Sequence, residues 1–257
     1  MIPMEGGGYT APGIEDFQFT GLFGTDWITK PMVQAVIAAI IVIVVWVVAA
    51  RRLRVVPTKG QYLMELLYEF IRNSVGRDIL GPGFRPYLGL LVGLFTYLLL
   101  NNWFGEFFLF MFPTMSNIGY SWGAVVLVLF IYVWAGFRKH GIGYLRKALI
   151  PEGVPWYLYI IIIPVEFLSA FITRPLTLGV RLFANMFAGH LAVMVFVVGG
   201  SYLLTQADGI VLKVGGGVAL LFSILFMLFE MFIGALQAYI FTILTAQYIS
   251  SSISESH

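Results

Sequence analysis

Residues 31–50 read PMVQAVIAAIIVIVVWVVAA, twenty uncharged positions held between Lys30 and Arg51. As a helix the run rises about 30 Å, the thickness of a bilayer's hydrocarbon core. The pattern recurs. Pro86–Gly105 is a second run of twenty uncharged residues between Arg85 and Glu106, and Phe107–Phe137 stays uncharged for thirty-one. Beyond Pro155 the chain is apolar to about Leu204, and again from Val214 to Ile249. Isolated charges at Glu166, Arg174, Arg181 and Glu230 interrupt these last stretches.

Composition agrees. Hydrophobic residues make up 60% of the 257 and charged residues 11%, with a mean hydropathy of +0.90. A soluble domain carries about 25% charged residues. The charges are expelled into short blocks, which places the chain among all-α integral membrane proteins. Cysteine is absent, so disulfides and thiolate metal sites are excluded. No basic stripe suggests nucleic acid.

The blocks also give a topology. Residues 1–30 hold four acids (Glu5, Glu15, Asp16, Asp26) and one base, and lack the basic start of a cleaved signal peptide. Residues 51–86 hold seven bases against three acids, and Arg138, Lys139, Arg146 and Lys147 follow in a second basic loop. Short loops rich in Lys and Arg stay cytoplasmic. Residues 1–30 are therefore expected outside, ahead of a single membrane domain, 31–257, that ends in the cytoplasm. Five crossings are expected near 32–50, 88–112, 121–137, 156–204 and 214–250.

Residues 61–80 of the inner loop are expected to form an amphipathic helix lying on the membrane surface. Met64, Leu67, Tyr68, Ile71, Val75 and Ile79 share one side, and Glu65, Glu69 and Arg72 another. The stretch from Trp156 to Leu204 is too long for one upright span, at about 74 Å as a straight helix. Pro164 and Pro175 are places to kink it. The next stretch is overlong too, so the last two spans read as a long tilted hairpin turning near Asp208-Gly209.

An arginine at the middle of a membrane helix costs from about 3 to over 10 kcal/mol. Arg181 lies 25 residues past Trp156 and about 27 before the turn, too deep to reach either surface easily. In an antiparallel hairpin, residues at equal depth have position numbers with a constant sum, here about 417. Arg181 is then level with Gln237, Asn185 with Gly234, and His190 with Glu230, the last pair about 10–14 Å nearer the outer surface. The wheel agrees. Arg174, Arg181 and Asn185 share a face, whereas His190, nine residues beyond Arg181, points about 180° away. Glu230 and Gln237 share a face of the next helix.

Buried ionisable groups of this kind mark ion pathways or proton relays, and histidine titrates near physiological pH. Each has a plainer alternative: an ion pair between Arg181 and Glu230 or Glu166, and a hydrogen-bonded core histidine at 190. Glu166 lies either on an inward polar path or beside Arg174 at the interface. Asn102 and Glu106 lie near the outer end of span two, where Asn101-Asn102 could equally hydrogen-bond neighbouring helices. The histidines are His140, His190 and His257, so no bis-histidine haem or zinc cluster is expected inside the membrane. Gly199-Gly200-Ser201 is too weak for a hydrolase elbow, and no phosphate loop is present. Neither cofactor nor metal is expected. A secondary transporter would need repeated broken helices, and Arg181 has no repeated counterpart.

The run Arg174-Pro-Leu-Thr-Leu-Gly-Val-Arg181-Leu-Phe-Ala-Asn185-Met-Phe-Ala-Gly-His190-Leu closely resembles the signature of subunit a of the F-type ATP synthase. Leu236-Gln237-Ala-Tyr-Ile-Phe-Thr-Ile-Leu-Thr resembles that family's final helix, and Asn102-Trp-Phe-Gly an earlier span; the likeness covers roughly residues 60–250. The resemblance implies a non-catalytic, proton-translocating stator subunit in a bacterial cell membrane. Its partners would be a ring of c subunits, b-type peripheral stalk subunits and, indirectly, the F1 sector. It further implies two offset half-channels. Arg181 would face the ring with Gln237 beside it, Asn102, Asn185, His190 and Glu230 would line the outer half-channel, and Glu166 would stand near the inner one. In the best-known bacterial pattern an acid stands where this chain has His190 and a histidine where it has Glu230. The exchange matches mitochondrial-type relatives, and equal depth makes it tolerable.

Overall fold

A computed structural model describes residues 10–17, 21, 28–51, 53–107, 112–150 and 155–254. Most of the N-terminal segment 1–30, and His257, lie outside the described residues. Those described form helices and connecting turns without a strand, and five helical runs are long and apolar enough to cross a membrane.

Helix α1 is Lys30–Arg51. It packs on α4, Arg85–Phe104, where the Trp46 indole donates to Thr96 Oγ1 at 3.2 Å. Between them, α2 (Lys59–Ile71) starts on an N-cap at Thr58, whose hydroxyl accepts the Gln61 amide. It runs through a π-helical turn, Arg72–Arg77, into the short α3, Asp78–Leu80. Ile71, Val75 and Leu80 are buried while Tyr62, Leu63 and Leu66 stay exposed, so the helix expected at 61–80 is present with Ile71 and Val75 inward. A turn at Gly81, with φ of +59°, leads through Gly81–Phe84 into α4.

Helix α4 ends at Phe104, short of the expected 112. Past Gly105 the chain turns sharply enough that a Cβ there would sit 2.8 Å from Pro113. Helix α5, Ile118–His140, starts on Asn117 and closes at Gly141. It packs against α8 and α9, and α6, Gly143–Leu149, follows it.

The overlong stretch is interrupted by a π-helical turn just before Pro175, while Pro164 lies within a regular helix. Helix α7, Tyr159–Leu168, passes through a π-helical turn, Ser169–Thr173, into α8, Arg174–Thr205. In that turn the Arg174 amide bonds to Ser169 O rather than Ala170 O. The next amide belongs to Pro175, which has no N–H, so the Ala170 carbonyl has no donor within its own helix. The buried Tyr132 of α5 supplies one, its hydroxyl donating at 2.6 Å.

Gly209, with φ of +107°, makes the turn into α9, Ile210–Ile253. This lies at the expected turn. Forty-four residues span about 66 Å, over twice the hydrocarbon core, so α9 crosses obliquely or protrudes. Gly200 and Gly216 face each other so closely that a Cβ on Gly216 would meet Gly200 O at 2.8 Å. Phe196 stacks on Phe222 and Phe226. Helix α9 also touches α4 and α5, and so forms the spine of the bundle.

Candidate functional site

Helices α4, α8 and α9 converge on three buried ionisable side chains. Glu106 sits in the turn just past α4, His190 on α8 and Glu230 on α9, each 6–7% exposed. One ligand-type atom from each lies within 4.8 Å of the other two. His190 Nδ1 stands 3.9 Å from Glu106 Oε1. Both Glu230 oxygens and His190 Nδ1 are buried and lack a hydrogen bond.

Local sequence makes this meeting possible. Gly189 leaves the space that the Glu230 carboxylate fills, since a Cβ there would lie 2.6 Å from Glu230 Oε1. Gly234, one turn on in α9, lets Asn102 of α4 approach, and the Asn102 amide donates to Gly234 O at 2.9 Å. Trp103 donates to Met231 O at 3.0 Å and secures the same contact. The rings of Phe112 and Phe17 stand edge-on to His190, at 5.8 and 6.0 Å between centroids. Apolar neighbours thus surround a group of polar atoms that have few partners, an arrangement costly to keep unless protons, water or an ion occupy it.

The expected level pairing of His190 with Glu230 is present, since Gly189 and Glu230 are in contact range across the hairpin. Glu106 joins the pair, and with it a histidine–dicarboxylate set that counting histidines had passed over. Imidazole and carboxylate are both ligand types that a metal ion takes. Glu106 lies beyond the end of its helix, where no periodicity places a side chain. Phe17 was likewise missed, 173 positions from His190.

Arg181 stands apart. It is exposed on the outer face of α8, opposite the buried His190, as the wheel required. Among the described residues no salt bridge reaches it, so neither Glu230 nor Glu166 neutralises it. Asn185, one turn on, is half-buried with its amide nitrogen unpartnered. Gln237 is buried on α9, its amide nitrogen also unpartnered. Glu166 is half-buried on α7, on the far side of the π turn from Arg181. Arg174 lies over the Tyr248 ring at 5.7 Å, and no salt bridge joins it to Glu166.

The family model for the ATP synthase A chain matches residues 32–250. ATP synthase subunit a of Nocardioides sp. is 42% identical, the match covering 98% of this chain and 96% of that one. ATP synthase subunit a of Pseudarthrobacter chlorophenolicus is 37% identical and that of Paenarthrobacter aurescens 35%, each over 98% of this chain and 97% of its own.

Proposed function

The chain belongs to the ATP synthase A chain family, and from that premise we propose that it is the fixed partner against which a ring of c subunits turns as protons cross. A proton enters from outside along a path lined by Asn102, Glu106, Asn185, His190 and Glu230. It protonates a ring carboxylate at mid-membrane and, after the ring has turned, leaves past Glu166 to the cytoplasm. The basic loops are cytoplasmic and the N-terminus is outside. Stalk subunits of the b type hold the chain still relative to the F1 sector, where the ATP chemistry takes place.

The observation that carries this reading is the exposed, unpaired Arg181 on the face of α8 opposite a buried acid–histidine cluster. A cation at that depth needs an anion, and the described residues of its own chain supply none within salt-bridge reach. A ring carboxylate at 4 Å is attracted by about 4 kcal/mol at an effective dielectric near 20. Once protonated it is neutral and free to rotate into lipid. The fixed charge also repels protons, which prevents a direct leak between the two paths. Each proton falling through 100 mV releases about 2.3 kcal/mol, and this biases the rotation. Gln237, which the constant sum across the hairpin puts level with Arg181, is buried behind it with its amide nitrogen unpartnered.

The test is Arg181→Ala in inverted membrane vesicles. ATP-driven proton pumping is expected to vanish while the c-ring still copurifies with the chain. Coupled pumping at the wild-type rate would falsify the role given to Arg181.

A further inference from the structure

Helix α1 ends on a basic residue, Arg51, and there it parts from α2 around a cavity of about 440 Å³. We propose that this cleft binds one anionic phospholipid, with an acyl chain between the two helices and the phosphate among Arg51, Arg54 and Lys59. Placing that lipid in the cytoplasmic leaflet rests on the topology proposed above; the binding itself does not.

The cleft follows from how its walls are joined. At one end the Trp46 and Tyr68 rings stand 6.5 Å apart, and Trp46 is also fixed to Thr96 of α4. At the other, Gln61 ties α2 to the segment after α1. Its Nε2 donates to Arg54 O at 3.0 Å, and the Arg54 amide donates back to its Oε1 at 3.2 Å. Between these ties α1 contributes only the methyl groups of Ala49 and Ala50, which leave the space towards Met64 unfilled. The polar groups of the walls are already engaged. Glu65 accepts from the same Gln61 Nε2 at 2.7 Å, so the surface offered to a guest is almost entirely apolar. Leu53 lines the cleft and is still 69% exposed, an apolar side chain that an acyl chain would cover.

Size selects a chain over a helix. A compact space of 440 Å³ is about 8 Å across, whereas a helix with its side chains measures about 10–12 Å. Charge selects the headgroup. Arg51, Arg54 and Lys59 are exposed on the segments that flank the cleft, and among the described residues no salt bridge holds any of them. Glu65 is the one acid on the lining, so the bases outnumber it three to one. Bases placed at a membrane surface attract anionic lipid.

The experiment uses the intact, purified ATP synthase complex in mild detergent, incubated with a phosphatidylglycerol that carries a photoreactive diazirine in its acyl chain. Labelled peptides of this chain are read by mass spectrometry, and label is expected within residues 46–68. Unlabelled phosphatidylglycerol is expected to displace it better than phosphatidylcholine, by about fivefold for each base that the headgroup meets. Arg51→Gln is expected to shrink that preference about fivefold. Ala50→Phe, which fills the cleft, is expected to cut labelling more than about tenfold, the equivalent of two methylenes left unburied. Equal displacement by the two lipids would mean ordinary boundary lipid and overturns the site, as does undiminished labelling of Ala50→Phe. Should the variants fail to assemble, the competition in the wild type decides alone. A photoreactive amino acid in place of Leu53 is expected to crosslink to lipid; a crosslink to another subunit instead gives the cleft to a protein partner and also overturns the proposal. The leaflet is checked separately. The chain has no cysteine, so Val56→Cys is its sole thiol, and a membrane-impermeant maleimide is expected to reach it in inverted vesicles. Failure of that reaction overturns the topology, and with it the leaflet, while the lipid competition still decides the binding.

Discussion

Gly189→Ala separates the geometry of the buried cluster from the stability of the helix that bears it. An alanine methyl there would lie 2.6 Å from Glu230 Oε1, 2.8 Å from its Cδ and 3.2 Å from Oε2. Ordinary contact begins near 3.4 Å, so the carboxylate must shift by about 0.8 Å, moving against or away from His190 and Glu106. The helix itself gains, because alanine is favoured over glycine within a helix by about 0.8–1.0 kcal/mol. The two effects have opposite signs and different readouts. The complex is expected to assemble and to melt no lower than the wild type. ATP-driven pumping, followed as quenching of a pH-gradient dye in inverted vesicles and normalised to assembled complex, is expected to fall about ten- to hundredfold, since a misplacement near 1 Å costs a reacting group about that much. Glu230→Asp withdraws the carboxylate by one methylene, so adding Gly189→Ala in that background is expected to cost little further. Wild-type pumping by the Gly189→Ala single variant would mean that Glu230 does not handle protons at this position.

Two structural predictions follow from the same physics. Gly216→Ala places a Cβ 2.8 Å from Gly200 O and 2.9 Å from the Leu203 Cβ and Leu204 N, contacts with backbone that cannot swing aside. It is expected to lower the yield of assembled complex by prising α8 from α9, whereas Gly217→Ala, with nothing within 4 Å, is expected to be neutral or to raise it. Tyr132→Phe leaves the Ala170 carbonyl without its donor, at a cost of about 1–3 kcal/mol, seen as a lower temperature at which this chain dissociates from the solubilised complex. Pro175→Ala restores an amide within reach of that carbonyl, so the Tyr132→Phe cost is expected to shrink in the Pro175→Ala background.

The span pattern and the hairpin were legible in the sequence because each depends on one-dimensional quantities, the length of an uncharged run and the position of a turn. The near-constant sum of residue numbers at equal depth predicted which side chains face each other across α8 and α9. Gly200 with Gly216, Phe196 with Phe222 and Gly189 with Glu230 all respect it. The wheel likewise put His190 and Arg181 on opposite faces of α8. Legibility ended where periodicity ended. Glu106 falls in a turn beyond Phe104, Phe17 in a short 3-10 turn far away in sequence, and the placement of both depends on how the chain folds back. The end of span two was misjudged for the same reason: an apolar run continues through the turn that follows, so apolarity alone cannot mark where α4 stops.

One helix therefore carries two kinds of polar group that must be kept apart. On the inward face of α8, His190 is enclosed by Phe17, Phe112, Glu106 and Glu230, where low dielectric strengthens every charge–charge interaction. On the outward face, nine residues away, Arg181 has no such enclosure among the described residues. Were the arginine on the inner face, it would pair with Glu230 and the cluster would be locked in one charge state. The opposite faces of α8 at positions 181 and 190 thus keep the arginine out of the buried acid–histidine group, as the proposed mechanism requires, and the glycines at 189 and 234 let three helices close around that group.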